Sequence, residues 1–320
     1  VAIGRAALGA QNFTTATDAY NVAVGFKAGE KVTTGVQNTL LGGLAGDALT
    51  DADYNVAVGI AALGSDTLGS RTVAIGSGAL DSQNFTTATD TYNVAVGFEA
   101  GTAVTTGVQN TLIGGLAGDA LTVGSFNVAV GYAALSSEDS RGRNVAVGYG
   151  ALATQNAGSD ANNVAVGFEA GLGLTTGANN TFVGSGAAGN ATVTGNANNA
   201  LGMNALYAVS SGANNTAVGD SAGVSLTTGS NNTFLGHDAG RIGSPGGNFV
   251  GASNGFCLGD ENIADLNCQV VLSVASDQRD KTDFVDLDLG LDFVKALEPV
   301  TYYWDKRSKY GDKYAEDYDL

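Results

Sequence analysis

A five-residue pattern, seen in its simplest form at Asn163-Val-Ala-Val-Gly167, recurs along most of this 320-residue chain. Most successive copies are 17 residues apart, and the remaining steps are slightly longer. The glycines that close the copies are Gly4, Gly25, Gly42, Gly59, Gly76, Gly97, Gly114, Gly131, Gly148, Gly167, Gly184, Gly202, Gly219 and Gly236. A period this short and regular predicts stacked repeats, because one such unit is too small to bury its apolar face alone.

The longest steps contain excursions, at positions 11–18, 83–90 and 155–162. The first excursion reads QNFTTATD and returns unchanged as the second, so a block of four coils has been duplicated. Loops on a rigid scaffold often carry binding residues. Two interpretations therefore stand side by side: the excursions are binding loops, or they are insertions that the scaffold tolerates.

Each copy carries a short strand pattern. In Val164-Ala-Val166 two β-branched residues flank a small one, which predicts a strand buried by its valines on one face and closely packed at its alanine on the other. A Thr-Thr-Gly turn at 33–35, 105–107, 175–177 and 227–229 leads into the asparagine of the next copy. Glycine and asparagine tolerate positive φ, so we expect the corners of the coil there.

Seventeen residues with two or three strand-sized pieces fit one coil of a β-solenoid. A leucine-rich repeat would need its ladder of leucines and asparagines, and a propeller blade about 40 residues or more. We therefore predict an all-β, parallel β-roll or β-solenoid of about fourteen coils over residues 1–240, roughly 65 Å long at one strand spacing per coil. So narrow a rod would leave an apolar Ala, Leu and Phe face in water, which favours burial between identical chains.

Composition narrows the class of protein further. The chain has 48 glycines but 2 prolines and no Gly-X-Y period, which excludes collagen. Its net charge of −17, with 14 basic residues, argues against nucleic-acid binding. The sequence shows no apolar run long enough to span a membrane, no signal-peptide pattern and no initiator methionine. We thus expect no membrane insertion, and an extracellular or virion rod whose attachment part precedes Val1.

Several side chains are candidates for binding. An aromatic residue follows the closing glycine at Phe26, Phe98, Tyr132, Tyr149 and Phe168, where it could stack on sugar rings or pack at corners and between chains. The acidic Asp51-Ala-Asp53 lacks the spacing of an EF-hand loop, so we predict no metal and no cofactor. His237 is a weak site candidate. Cys257 and Cys268 are expected to be small buried residues rather than a bridge.

The repeat fades after residue 240. We interpret residues 241–275 as a transition segment, with a loop at 243–247, a last echo of the repeat at 248–251 and a terminal strand at 269–275. Half of all Lys and Arg residues fall at or after Ser276, together with Trp304. Residues 289–297 have helical apolar spacing and residues 300–304 read as a strand, which predicts a small α+β segment over 276–320.

Three motifs in this last segment occur in a characteristic order. They are Ser-Asp-Gln-Arg-Asp-Lys at 276–281, a leucine-rich stretch at 290–297 and Pro-Val-Thr-Tyr at 299–302. Together they resemble the start of the endosialidase-type intramolecular chaperone, the peptidase S74 family of phage tail fibres and tailspikes, and we expect residues 276–320 to be an incomplete copy of it. The repeats in turn are similar to the head repeats of YadA-like adhesins, which form trimeric parallel β-rolls.

The chaperone resemblance implies that three chains are brought into register before the chaperone releases itself. Carried over, it places the scissile bond at Ala275–Ser276, with Ser276 as nucleophile and Lys281 as base. A lysine can act as a base where desolvation or nearby positive charge lowers its pKa. Asp277 and Arg279 match the motif and would orient the site. Without the flanking motifs, Ser276 and Asp277 would only cap a turn and Lys281 would be a solvated charge.

The two resemblances imply a homotrimeric phage tail fibre, made in the host cytoplasm and carried on the virion. Its partners would be itself, other tail or baseplate proteins, and a host cell-surface glycan or protein receptor. The alternative is a bacterial trimeric adhesin or surface fibre with the same chaperone. A polysaccharide-degrading tailspike would need a carboxylate pair across a groove, and the sequence singles out no such pair.

Overall fold

A computed structural model of the chain describes residues 1–138, 140, 142–158 and 161–265. In this part, every regular element is a β-strand of two or three residues. The strands are β1 Ala2–Ile3, β2 Val22–Val24, β3 Thr39–Leu41, β4 Val56–Val58, β5 Gly69–Ser70, β6 Val73–Ile75, β7 Thr89–Asp90, β8 Val94–Val96, β9 Thr111–Ile113, β10 Val128–Val130, β11 Val145–Val147, β12 Val164–Val166, β13 Thr181–Val183, β14 Asn199–Leu201, β15 Thr216–Val218, β16 Thr233–Leu235 and β17 Phe256–Leu258.

All strands except β5 and β7 form one parallel sheet of 15 strands, stacked in chain order. The register is regular: Val128, Ala129 and Val130 pair with Val145, Ala146 and Val147 of the next coil. The predicted parallel β-solenoid is therefore confirmed. No helix that could cross a membrane occurs in the described ranges. The α+β segment predicted after residue 275 lies outside them.

The middle residue of each three-residue strand points into the coil. Ala57, Leu40 and Phe182 all occupy this position and have no exposed surface, whereas the flanking valines of β4 are partly exposed. The expectation of a face buried by valine and a water-facing Ala, Leu and Phe surface was thus wrong. A closed coil has one interior, and only the middle side chain of a three-residue strand reaches it.

The chain bends at the Thr-Thr-Gly turn as expected, for example at Thr33 and Thr34. The positive φ angles of the coil lie elsewhere, at the closing glycine and at three left-handed residues. Gly131 has φ of 137°, while Ala133, Leu135 and Phe126 have φ between 52° and 63°. Gly35 of the Thr-Thr-Gly turn is not among the residues with positive φ. It is small for another reason, because an added Cβ would lie 2.4 Å from the carbonyl oxygen of Ala52 in the next coil.

A ladder of buried asparagines supports the wall of the coil beside the sheet. Most ladder asparagines accept a hydrogen bond at Oδ1 from the backbone N–H of their counterpart one coil later, as Asn21 does from Asn38 at 2.8 Å. In most of them Nδ2 donates to a carbonyl of that next coil, as Asn21 does to Gly35 at 2.7 Å. The ladder comprises Asn21, Asn38, Asn55, Asn93, Asn110, Asn127, Asn144, Asn163, Asn180, Asn198, Asn215 and Asn232.

The sheet continues beyond residue 240 through β17. The expected echo of the repeat at 248–251 was wrong, since these residues form no strand and Phe256–Leu258 pairs with Thr233–Leu235 instead. Cys257 occupies the inward middle position and is buried, as expected for a small apolar side chain. Cys268 and the strand predicted at 269–275 lie outside the described residues.

Candidate functional site

The excursion at residues 83–90 is anchored by a buried carboxylate. Asp66 accepts hydrogen bonds at Oδ1 from the backbone N–H groups of Gly69 (3.1 Å) and Phe85 (3.0 Å). Its Oδ2 accepts from Nε2 of Gln83 at 2.6 Å. Burial raises the pKa of Asp66 against the lowering effect of these hydrogen bonds. The excursion therefore leaves the coil at a fixed point.

The excursion at residues 155–162 has the same kind of anchor. Gln155 Nε2 donates to Oε2 of the buried Glu138 at 3.2 Å, and Gln155 Oε1 accepts from the ladder residue Asn163 at 3.3 Å. Asp66 and Gln83 are 17 residues apart, as are Glu138 and Gln155. Sequence reasoning missed these anchors, although an acid one period before each glutamine was a visible signal.

The excursion at 83–90 also builds a cleft on the surface of the rod. Its last residues form β7, which pairs with β5 of the preceding coil. This pairing borders an open surface cleft of about 490 Å³, here called the Tyr54 cleft. Its lining consists of Asp51, Asp53, Tyr54, Ser70, Arg71, Ala88, Thr89 and Asp90.

Tyr54 and Arg71 supply an aromatic ring and a cation to the lining of the Tyr54 cleft. Tyr54 precedes the ladder residue Asn55, and because the Asn55 side chain is buried the tyrosine projects outward, with 45% of its surface exposed. The guanidinium carbon of Arg71 lies 4.8 Å from the centroid of the Tyr54 ring. Arg71 Nη1 also lies 3.3 Å from Oδ1 of Asp90. The cation–π contact between Tyr54 and Arg71 therefore restrains both side chains in the cleft.

The aromatic residues after the closing glycines lie on the surface. Tyr132 and Tyr149 stack with ring centroids 5.6 Å apart, and Tyr149 and Phe168 with centroids 5.3 Å apart. Each of the three rings is about half exposed. They therefore pack on one another along the rod and leave their outer edges open, which keeps both earlier interpretations of this stripe available.

The remaining site predictions lie at the C-terminus. Ala275, Ser276, Asp277, Arg279 and Lys281 all fall outside the described residues, so their roles stay predictions. His237 lies on the surface, with Nδ1 3.8 Å from carboxylate oxygens of Asp238 and Asp260. Among the residues in the described ranges, no group of three or more His, Cys, Asp or Glu side chains is arranged to hold a metal ion.

Comparison with known families bears on the C-terminal segment. Residues 276–318 match the peptidase S74 family, described as the chaperone of endosialidase. The prediction of an S74-type chaperone segment is thereby confirmed for these residues. No curated protein and no solved structure matches the chain.

Proposed function

We propose that this chain is a structural and receptor-binding fibre of a bacteriophage tail, assembled as a homotrimer. The observation that carries the proposal is the outer face of the 15-stranded sheet, which a single chain leaves partly open. Its outward positions are mostly Val, Ile and Leu, and Ile75, Ile113, Leu201 and Val218 are between 37% and 52% exposed. A contiguous apolar surface of this extent favours contact with other copies.

The chaperone segment supports the same proposal. The chaperone match at 276–318 lies C-terminal to the repetitive solenoid in the sequence, an order that suits a fibre whose similar coils could otherwise pair in the wrong register. The solenoid supplies reach and rigidity, and the cleft and aromatic residues on its surface are available to a host receptor. The proposed location is the virion tail, where other tail or baseplate proteins would hold the fibre.

Self-cleavage would end assembly. In the proposed step, Ser276 Oγ attacks the carbonyl carbon of Ala275 as Lys281 takes the hydroxyl proton. The C–N bond then breaks, the amine recovers that proton, and water hydrolyses the resulting ester to the Ala275 carboxylate. The chaperone segment would leave with Ser276 as its new N-terminus.

Two measurements test the proposed trimer and the proposed self-cleavage. They are the intact mass and the sedimentation of the wild-type chain, each compared with Ser276→Ala. We expect a trimeric rod that lacks everything from Ser276 onward in the wild type, and an uncut trimer in the variant. An uncut trimer in both would remove the proteolytic step and leave the fibre. A monomer in both would overturn the fibre. Receptor attachment would be overturned if the trimer, labelled with a fluorophore, failed to bind host cells.

A further inference from the structure

We propose that the Tyr54 cleft binds a neutral sugar unit of a cell-surface glycan. This deepens the proposed function and rests on it only for the biological role of the glycan. The cleft is formed by an excursion that is anchored at the buried Asp66, so its shape is set before a ligand arrives. Small-ligand sites are usually preformed clefts, and the mostly polar lining of this cleft suits a ligand rich in hydroxyl groups.

Tyr54 offers an aromatic surface to a sugar ring. The C–H face of a pyranose is apolar and packs against aromatic rings. Arg71 covers one face of the Tyr54 ring, with its guanidinium carbon 4.8 Å from the centroid, so the sugar would contact the part of the ring that stays exposed. Arg71 itself has five N–H donors, only some of which its contact with Asp90 can occupy. The remaining donors can bind oxygens of a sugar that lies beside the ring.

The lining of the cleft also offers acceptors for hydroxyl groups. Asp53 Oδ1 accepts from the backbone N–H of Val36 at 2.7 Å, and Asp51 Oδ1 accepts from Thr34 Oγ1 at 2.6 Å. One oxygen of each carboxylate is therefore committed, and the second accepts no hydrogen bond from the described residues. Ser70 and Thr89 add hydroxyl groups to the lining. Oriented carboxylates beside a ring platform suit a ligand rich in hydroxyl donors.

The negative charge of the cleft and of the whole chain disfavours binding of acidic glycans. Three carboxylates and one guanidinium line the cleft, and the whole chain carries a net charge of −17. A sialylated or phosphorylated glycan would meet repulsion both on approach and in the cleft. The ligand class is therefore a neutral hexose or N-acetylhexosamine.

The chain contains a matched control for this cleft. Four coils later, Phe126 and Arg143 stand where the cleft has Tyr54 and Arg71, but Val123 and Ser125 replace Asp51 and Asp53. The second location keeps the aromatic and the cation without those two acceptors. Neutral-sugar binding should accordingly depend on Tyr54 and be independent of Phe126.

Binding is tested with the purified full-length chain on immobilised oligosaccharides of glucose, galactose, mannose and N-acetylglucosamine, each beside a sialylated form. We expect binding of at least one neutral oligosaccharide, about tenfold weaker for Tyr54→Ala, the loss expected for a stacked ring. Phe126→Ala should bind as the wild type does. Asp51→Asn, which keeps the Thr34 hydrogen bond, should also weaken binding and covers the case that Tyr54→Ala fails to fold.

Absence of neutral-glycan binding, equal binding by Tyr54→Ala, or preference for sialylated forms would overturn the proposal. These results are separable from the fibre proposal. A trimeric rod that attaches to cells without binding these sugars would contradict only the proposal of a glycan site. A chain that binds sugars but sediments as a monomer would contradict only the proposal of a trimeric fibre.

Discussion

The backbone N–H of Asn110 lies 2.9 Å from Oδ1 of Asn93, its counterpart one coil earlier. Asn110 repeats this arrangement with Asn127 at 3.0 Å and donates its own Nδ2 to the carbonyl of Gly124 at 2.9 Å. One buried side chain thus ties two neighbouring coils together through their backbones. The ladder is part of what holds successive coils in register.

Asn110→Ala should lower the free energy of unfolding by about 2–4 kcal/mol, because it leaves buried backbone groups of Asn127 and Gly124 without partners. Denaturant unfolding measures the change. The exposed Asn12→Ala is the control and should differ from the wild type by less than about 0.5 kcal/mol. Equal effects of the two substitutions would show that the ladder has little energetic role.

Gly131→Ala should prevent folding or cost more than about 3 kcal/mol, since both the backbone conformation and the space exclude a side chain. At Gly131 φ is 137°, and a Cβ would lie 2.4 Å from the carbonyl oxygen of Gly148 in the next coil. Gly158→Ala is the control, since nothing lies within 4 Å of the added Cβ there. Thermal unfolding, monitored by circular dichroism, compares the two variants. A Gly131→Ala variant that folds and has the stability of the wild type would contradict the coil geometry.

The pH dependence of stability should include a contribution from Asp66. Its folded pKa is raised by burial, so the folded state binds the proton more tightly than the unfolded chain does. The contribution of Asp66 to stability is therefore fully present below the unfolded value of about 3.9 and is lost as pH rises through the folded pKa. Denaturant unfolding from about pH 4 upward should show this fall in the wild type.

Asp66→Asn is the comparison for that measurement. It removes the titrating group, so the free-energy difference between wild type and variant should shrink or reverse as pH rises. At neutral pH the variant also places an amide N–H₂ among the donors Gly69, Gln83 and Phe85, which limits any gain in stability. A difference that grows in favour of the wild type with rising pH would contradict the assignment.

Val130→Glu should convert the proposed trimer into smaller species. Val130 lies at an outward position of β10 and is only partly covered in the single chain, so a trimer that uses this face would bury the new carboxylate. Sedimentation gives the oligomeric state. Thr87→Glu, at an exposed position of an excursion, should leave the trimer intact. A trimer in both variants would place the interface on another face.

The repeat spacing was enough to predict the class of fold and the strand preceding each closing glycine. It was not enough to predict which strand residues face inward. The alternation in Val-Ala-Val is compatible both with inward valines and with an inward alanine. Ala57 and Phe182 lie inside because the coil closes around the middle position. β17 was missed for a related reason, since Cys257 was considered as a cysteine rather than as the middle residue of Phe256-Cys257-Leu258.

The candidate sites were less accessible from sequence. The excursion at 83–90 was considered either as a binding loop or as a tolerated insertion, and the Tyr54 cleft combines it with residues from two earlier coils, such as Asp53 and Arg71. Residues that meet because coils stack can be found only if the sequence is aligned in steps of one coil. The chaperone motif, by contrast, is contiguous and was found directly.

The regular pairing from β1 to β17 makes the length of the rod adjustable. Because each coil presents nearly the same backbone to both neighbours, the duplicated block of four coils can be removed or copied without disturbing the coils on either side. Each such block would change the length by four strand spacings, about 19 Å. Recombination between repeats could thus shift a receptor site along the axis of the solenoid in steps of one block. The residues of the receptor site would stay the same.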